Sequence, residues 1–268
     1  MSILIMILSS VAIIAIVKYG LVEGLDRVSL ALKWTPKARG QATGYATSVP
    51  ELVALVAAGL SGVWEAGLWN IASSNLINLG LMLSAVTLHR RWKDLVLPRF
   101  RSELGFAFVG IGAPLVLMQW EFDTHVAVIP ILFALFVLYQ WVDRKMAESD
   151  EPPPEESVGS LPIALIFCVI SLALVSIAGI FLGDSTKAVV EQMGIHPAIA
   201  GWILGVVTSL PEAVTFFAVY GSARKAGNPE SVEETQEVLD NLAASNMSNT
   251  SLIYPIGLSV FLIATQLL

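Results

Sequence analysis

The stretch "ATSVPELVAL", residues 46–55, lies in an apolar segment and yet places a proline beside a glutamate. Proline breaks a helix because it has no N–H and crowds the preceding turn, and a carboxylate resists leaving water. The same pattern returns as "VTSLPEAVTF" at residues 207–216. A single occurrence would fit a structural kink, whereas the recurrence favours an internal repeat with a shared function.

The composition indicates an integral membrane protein. The chain has 268 residues, of which 55% are hydrophobic and only 14% charged, against roughly 25% charged residues in soluble domains. Since a membrane-spanning helix needs about 20 mostly apolar residues, we predict an all-α polytopic protein with eight spans, at approximately residues 2–22, 38–61, 65–87, 102–120, 124–142, 160–183, 197–221 and 238–267. The net charge of −7 belongs to the loops, and no nucleic-acid surface is expected.

Two further features narrow the class of protein. The single cysteine, Cys168, excludes a disulfide framework and a Cys/His metal site. The first apolar run has no Lys or Arg before it, which is opposite to a secretory signal peptide, so we expect it to be retained as the first span.

An acidic, proline-rich segment marks the middle of the chain. "DRKMAESDEPPPEES", residues 143–157, is too polar to form a core and is typical of a flexible linker. We therefore predict a first half with spans 1 to 5, a cytoplasmic linker and a second half with spans 6 to 8, at residues 1–142, 143–159 and 160–268.

The distribution of basic residues predicts the topology, because cytoplasmic loops collect Lys and Arg. The loops after spans 1, 3, 5 and 7 hold twelve of the fifteen basic residues, and the opposite loops hold Lys187. This asymmetry predicts that both termini lie outside and that the linker is cytoplasmic. The lack of a large regulatory domain between spans 5 and 6 favours a prokaryotic inner membrane.

Two paired motifs form the repeat. "TSVPE" (47–51) returns as "TSLPE" (208–212), and "NIASSNLIN" (70–78) returns as "NLAASNMSN" (241–249), in the same order. The two motifs of the first copy fall on predicted spans 2 and 3, and those of the second copy fall on spans 7 and 8. Because span 7 comes five spans after span 2, an odd number, the two copies have opposite orientations in the membrane. Inverted repeats of this kind are typical of secondary transporters, whose substrate sites lie near the midplane on interrupted helices.

The spacing within each motif explains the residue types. In a helix, Thr47 and Glu51 are i, i+4 neighbours and Ser48 and Glu51 are i, i+3, so their oxygens can meet on one face. Pro50 cannot donate to the carbonyl of Ala46, so the helix should open there. Hydroxyls, amide oxygens, freed carbonyls and carboxylates are the ligands of a hard cation such as Ca²⁺.

The energetics of the two glutamates indicate a mobile cation. A carboxylate at the bilayer centre costs at least about 2.5–3.5 kcal/mol and faces a polar cavity or a partner. Apart from Lys18, near an interface, no Lys or Arg is predicted at comparable depth in any span. Glu51 and Glu212 therefore lack a fixed counter-ion, and protons are expected to compete with the bound cation.

These motifs resemble the cation/Ca²⁺ exchanger superfamily and, within it, the sodium/calcium exchangers. Their two inverted alpha repeats carry T-S-x-P-E on one helix and S-N-x-x-N or S-N-x-x-D on the next, here within residues 44–80 and 205–249. The resemblance implies that the glutamates are shared between Ca²⁺ and Na⁺ and, less directly, that Gly44 and Gly205 offer carbonyls. It implies an ion site lined by Thr47, Ser48, Glu51, Ser74, Asn78, Thr208, Ser209, Glu212, Ser245 and Asn249.

Two departures from the family pattern matter. Many relatives have an aspartate where this chain has Asn249, so the site here has two carboxylates and its coupling ion is open. Sodium/calcium exchangers typically have ten spans against the eight predicted here, which suggests that a homodimer contact or partner subunit covers the face where two spans are missing. Asn70, Asn75, Asn241 and Asn246 are expected to form interhelical hydrogen bonds instead of binding ions.

The sequence thus predicts a secondary active antiporter that exchanges Ca²⁺ for Na⁺ by alternating access, without a cofactor. The nearest alternative is a Ca²⁺/H⁺ exchanger of the same superfamily. A membrane-embedded enzyme with Glu51 and Glu212 as acid and base is a remote alternative, because it requires asymmetric supporting groups. A channel is a further alternative, and it would require a continuous water path through the protein.

Overall fold

A computed structural model describes residues 1–32, 36–146, 161–225 and 232–267, and the regular elements in these ranges are helical. Three parts of predicted loops lie outside the described residues: the linker from residue 147 onward, residues 33–35 after predicted span 1, and residues 226–231 after predicted span 7. The α-helices are α1 (Ser2–Ile16), α2 (Glu23–Ala31), α3 (Pro36–Thr47), α4 (Val49–Leu60), α5 (Trp64–Leu88), α6 (Arg101–Gln119), α7 (Val128–Met146), α8 (Leu161–Lys187), α9 (Pro197–Thr208), α10 (Leu210–Lys225), α11 (Glu233–Ser248) and α12 (Tyr254–Leu267).

Several helices continue into one another through wide π-type turns. Val17–Val22 joins α1 to α2, Ala188–Gln192 extends α8, and Asn249–Ile253 joins α11 to α12. The described residues include six helices long and apolar enough to cross a membrane, namely Ser2–Leu25, Trp64–Leu88, Pro98–Gln119, Leu161–Gln192, Pro197–Gly221 and Glu234–Gln266. The shorter apolar helix Gly44–Leu60 and the 19-residue α7 occupy the places of predicted spans 2 and 5. The prediction of an all-α polytopic membrane protein is confirmed.

Each repeat contains a helix break at the predicted position. α3 ends at Thr47 and α4 begins at Val49, so Ser48 is the single residue between these two helices. Ser209 separates α9 from α10 in the same way. The hydroxyls of Thr47 and Ser48 donate to the carbonyl oxygen of Gly44 at 3.0 and 3.1 Å. The interruption is short because proline is tolerated in the first turn of a helix, where its missing N–H has no intrahelical partner.

The two repeats pack crosswise against each other. α5 of the first repeat lies along α9 of the second, and α11 of the second lies along α3 of the first. The contact between α5 and α9 is close: a Cβ at Gly201 would lie 2.4 Å from Cβ of Trp69, and one at Gly205 would lie 2.1 Å from Oγ of Ser73. Small residues four apart allow membrane helices to approach in this way, so the second helix of each repeat is held against the first helix of the other.

The outer surface is apolar, as expected where helices meet lipid. α8 packs against α1, α2 and α4 on one side, and on the other it exposes large apolar side chains such as Ile163, Val169 and Ile180. Most of the buried polar residues lie instead around the two helix breaks, on α5, and on α11 and the turn that follows it. The fold therefore encloses a polar centre within an apolar shell.

Candidate cation site

The polar centre contains the two repeat glutamates. Glu51 lies in the first turn of α4 and Glu212 in the first turn of α10, and both side chains are 0% exposed. The N-terminus of a helix carries a partial positive charge, which favours a carboxylate in the first turn. The two carboxylates are close enough to repel each other electrostatically. The breaks at Ser48 and Ser209 thus place two helix N-termini at one buried point.

The threonines of the repeats are arranged crosswise. Thr208 lies beside the carboxylate of Glu51, and Thr47 lies beside that of Glu212. The expected i, i+4 contact of Thr47 with Glu51 is not a hydrogen bond, because the helix break separates them and Thr47 donates to Gly44. Thr208 likewise donates to Oδ1 of Asn70, at 3.1 Å. Each threonine hydroxyl thus has a protein acceptor for its hydrogen, and its oxygen keeps lone pairs that a cation could bind.

Serine and asparagine side chains connect the two repeats reciprocally. Asn78 donates through Nδ2 to Oγ of Ser245 at 3.3 Å, and Asn249 donates to Oγ of Ser74 at 3.4 Å. Ser245 in turn donates to Oε1 of Glu212 at 3.1 Å. Since each asparagine amide is oriented by the other repeat, the N–H groups point towards protein acceptors and the amide oxygens remain.

The two remaining serines complete the contacts between the repeats. The hydroxyl of Ser48 lies 3.3 Å from that of Ser245. Ser209 donates to the carbonyl oxygen of Ser74 at 3.5 Å. All ten predicted site residues are buried, none more than 4% exposed, and these contacts bring them together on the helices that meet at the breaks.

Five buried oxygens of this cluster have no hydrogen-bond partner among the residues that the structure describes. They are Oε1 and Oε2 of Glu51, Oε2 of Glu212, Oδ1 of Asn78 and Oδ1 of Asn249. A buried polar atom left without a partner costs about 1–3 kcal/mol, and more when it is charged, so native proteins rarely gather several of them. Carboxylate, amide and hydroxyl oxygens are the ligands of hard cations. The arrangement can hold a dehydrated metal ion between the two repeats.

Comparison with known proteins identifies the family. Residues 2–142 and 163–266 match the model of the family described as "Sodium/calcium exchanger protein". The chain belongs to the sodium/calcium exchanger family. It is accordingly a cation/Ca²⁺ exchanger of the membrane and not an enzyme.

Solved structures of one sodium-calcium exchanger, NCX_Mj, have a similar fold. A structure soaked with 2.5 mM Na⁺ and 10 mM Sr²⁺ matches with a TM-score of 0.52 and 20% identity, over 100% of this chain and 90% of that one. A second structure, soaked with 10 mM Na⁺ and zero Ca²⁺, gives the same values. At this identity the likeness establishes the fold alone. No curated protein matches the chain at a significant level.

A second layer of hydrogen bonds in this exchanger supports the site. Asn75 donates through Nδ2 to the carbonyl oxygen of Gly110 at 2.8 Å and to Oγ1 of Thr250 at 3.0 Å. Its Oδ1 accepts from Nδ2 of Asn249 at 2.9 Å. Asn246 donates to the carbonyl oxygen of Asn75 at 3.2 Å. The expectation that Asn75 and Asn246 hydrogen-bond between helices is confirmed, and so is that for Asn70, which accepts from Thr208.

Sequence reasoning missed two members of this layer. Thr250 directly follows the repeated motif, and a search one residue further would have included it. Gly110 lies on α6, outside both motifs, and contributes a backbone carbonyl, so no side-chain signal identifies it. For Asn241, the fourth asparagine expected to bond between helices, Oδ1 has no partner among the described residues.

Proposed function

We propose that the protein is a secondary active antiporter that exchanges Ca²⁺ for Na⁺ across the membrane by alternating access. The ions bind between the repeats and face each side of the membrane in turn. Five fully buried oxygens on Glu51, Glu212, Asn78 and Asn249, without a hydrogen-bond partner in the described ranges, support this proposal most directly. The proposed ligand set is that expected from the sequence, Thr47, Ser48, Glu51, Ser74, Asn78, Thr208, Ser209, Glu212, Ser245 and Asn249.

The chemistry of the cluster favours Ca²⁺ and Na⁺ over softer metals. Ca²⁺ takes about 6–8 oxygen ligands in flexible geometry. The five oxygens named above and the hydroxyl oxygens of Thr47 and Thr208 together provide enough ligands for Ca²⁺. A soft metal would instead require soft ligands such as thiolates. The serine hydroxyls are mainly used in holding the asparagine and glutamate side chains in place.

Calcium uptake into vesicles tests the coupling ion. Purified protein is reconstituted into liposomes loaded with Na⁺ at the same pH inside and outside, and ⁴⁵Ca²⁺ uptake is compared with that into liposomes loaded with K⁺ or choline. We expect uptake only when Na⁺ flows outward. Uptake that ignores the Na⁺ gradient but follows an imposed pH gradient would overturn the proposal and identify a Ca²⁺/H⁺ exchanger.

The placement in the cell is also part of the proposal. The basic residues after predicted spans 1, 3, 5 and 7 support an orientation with both termini outside, in a prokaryotic inner membrane. A fusion of alkaline phosphatase, which is active only outside the cytoplasm, to the C-terminus should be active. An inactive phosphatase with an active cytoplasmic reporter at the same position would contradict the orientation.

Two further predictions concern the organisation of the protein. We propose that residues 1–142 and 160–268 are the two halves and that residues 143–159 link them, so cleavage at a protease site inserted in the linker should leave Ca²⁺ uptake intact. Loss of uptake on cleavage would contradict this division. We also propose that a homodimer contact or partner subunit covers part of the outer surface, and a monomeric mass in mild detergent would contradict it.

A further inference from the structure

A proline in the interior of α6 leaves one backbone carbonyl free. Pro114 has no N–H, so the carbonyl oxygen of Gly110, four residues earlier, lacks the hydrogen bond that it would accept within a regular α-helix. Both residues are buried, and positions four apart lie on one face of a helix. Because α6 packs against α11 and the turn that follows it, the free acceptor lies on the side of α6 that meets the second repeat.

The freed carbonyl accepts hydrogen bonds from both repeats. Nδ2 of Asn75, on α5, donates to it at 2.8 Å, and Oγ1 of Thr250, in the turn after α11, donates to it at 2.6 Å. A carbonyl oxygen has two lone pairs, so these two bonds take the place of the missing helical bond. The close approach also requires glycine, since a Cβ at Gly110 would lie 2.9 Å from atoms of Asn246.

The carbonyl of Gly110 fixes the orientation of the Asn75 amide. An amide side chain has a donor end and an acceptor end, and a carbonyl oxygen can only accept, so Nδ2 of Asn75 faces Gly110. Thr250 gives its hydrogen to the same carbonyl and accepts the second hydrogen of Asn75 Nδ2, at 3.0 Å. Oδ1 of Asn75 is therefore directed away from α6.

The Asn75 amide in turn orients the amide of Asn249. Nδ2 of Asn249 donates to Oδ1 of Asn75 at 2.9 Å, and Oδ1 of Asn249 has no hydrogen-bond partner in the described ranges. If the Asn75 amide were reversed, its N–H₂ group would face Asn249, and Oδ1 of Asn249 would turn to accept from it. The oxygen that is now free for a cation would then be occupied by the protein.

We infer that Pro114 is a positioning residue of the cation site. By freeing the carbonyl of Gly110, it fixes the amide of Asn75, and that amide directs Oδ1 of Asn249 towards the bound ion. The inference rests on the proposed binding of Ca²⁺ between the repeats and adds α6 to the helices that determine the site. Asn78 is held differently, because its Nδ2 donates to side-chain oxygens of Ser245 and Asn246. The effect of Pro114 is therefore expected at Asn249 and not at Asn78.

The variant Pro114→Ala tests this inference. Alanine restores the N–H group that can bond to the carbonyl of Gly110 and compete with Asn75 and Thr250. We expect the Ca²⁺ affinity of the purified protein, measured by titration of the melting temperature, to fall about 2- to 12-fold, as for the loss of one buried hydrogen bond. The melting temperature in a chelator should equal or exceed that of the wild type, because alanine is favoured over proline inside a helix. Pro130→Ala, exposed in the first turn of α7, is the matched control and should bind Ca²⁺ as the wild type does.

Two further backgrounds separate positioning of Asn249 from a general effect on the fold. In Asn249→Ala no amide remains to be oriented, so the added Pro114→Ala should cause no further loss of Ca²⁺ affinity. In Asn78→Ala it should cause the full 2- to 12-fold loss expected for the single change. A further loss in the Asn249→Ala background, or an unchanged affinity of Pro114→Ala alone, would overturn the inference.

Na⁺-driven Ca²⁺ uptake by the wild type distinguishes this inference from the proposed function. Ca²⁺ binding that depends on Pro114, without Na⁺-driven uptake, would overturn the proposed exchange and support the positioning role. Na⁺-driven uptake with no effect of Pro114→Ala on Ca²⁺ affinity would overturn the positioning role alone. The absence of any Ca²⁺-dependent stabilisation of the wild type would overturn both.

Discussion

Replacement of Glu51 by glutamine is the most direct test of the ion site. Both carboxylate oxygens of Glu51 are buried and have no hydrogen-bond partner in the described part of the chain, so we expect the cation to be their partner. Glutamine keeps the size of the side chain but removes the charge and exchanges one oxygen for an N–H₂ group, which cannot bind a cation.

The expected loss of Ca²⁺ affinity is large. Removal of one partner from a buried ion pair costs about 3–5 kcal/mol, because the other charge remains buried without compensation. At 1.4 kcal/mol per factor of ten, this corresponds to a Ca²⁺ affinity weaker by roughly 100- to 4,000-fold. Na⁺-driven Ca²⁺ uptake at micromolar Ca²⁺ should therefore be abolished.

A thermal-shift measurement separates loss of binding from loss of folding. At a Ca²⁺ concentration 100-fold above the dissociation constant, the ion should stabilise the wild-type protein by about 2.7 kcal/mol. At the same concentration Glu51→Gln should gain no more than about 0.4 kcal/mol. Glu65→Gln, in the first turn of α5 and exposed, is the matched control and should retain the wild-type shift.

The stability without Ca²⁺ should not fall in the variant. Glu51 and Glu212 repel each other, and no Lys or Arg of the described ranges is buried with them, so glutamine at position 51 removes an unfavourable term. We expect the melting temperature of Glu51→Gln in a chelator to equal or exceed that of the wild type. A lower melting temperature, or wild-type Ca²⁺ uptake, would refute the assignment of Glu51 as a ligand.

Two other substitutions test the supporting structure. Gly110→Ala would place a Cβ 2.9 Å from backbone and side-chain atoms of Asn246, so it should destabilise the fold by about 1–3 kcal/mol. Gly112→Ala, which meets nothing within 4 Å on the same helix, should not lower the melting temperature, and equal losses in both would contradict the close approach. Thr208→Val removes one neutral ligand and should weaken Ca²⁺ binding by about 0.5–1.5 kcal/mol, or roughly 2- to 12-fold. The control Thr265→Val, at an exposed position of α12, should bind Ca²⁺ normally. An unchanged Ca²⁺ affinity of Thr208→Val would exclude Thr208 as a ligand.

Much of the fold could be predicted from the sequence because the membrane requires long apolar helices. Six predicted spans correspond to helices that meet the length and apolarity of a membrane span. α7 and the helix Gly44–Leu60 are less apolar or shorter, and their assignment depends on the repeat and on the alternation of basic loops. The opposite orientation of the repeats followed from counting spans between two copies of one motif.

The site could be predicted only in part, because a motif identifies residues but not their partners. The ten residues were predicted from two repeated segments, and the helix breaks at Ser48 and Ser209 follow from the prolines. The crosswise arrangement of Thr47 and Thr208 depends on how the repeats pack, which is not encoded in local spacing. The role of Gly110 depends on a backbone carbonyl on a third helix, and every residue type has one.

The repeats are alike in sequence but not in their hydrogen bonds, and this difference distinguishes the two glutamates. Ser245 donates to Glu212, whereas Ser74, at the equivalent position of the other repeat, donates to the carbonyl oxygen of Ile71 at 3.1 Å. Within the described part of the chain, Glu212 therefore has one oxygen that accepts a hydrogen bond, and Glu51 has none. Because a carboxylate that already accepts a hydrogen bond depends less on the cation, Glu51 is the residue whose charge a bound ion compensates most, and its replacement is the sharper test of the site.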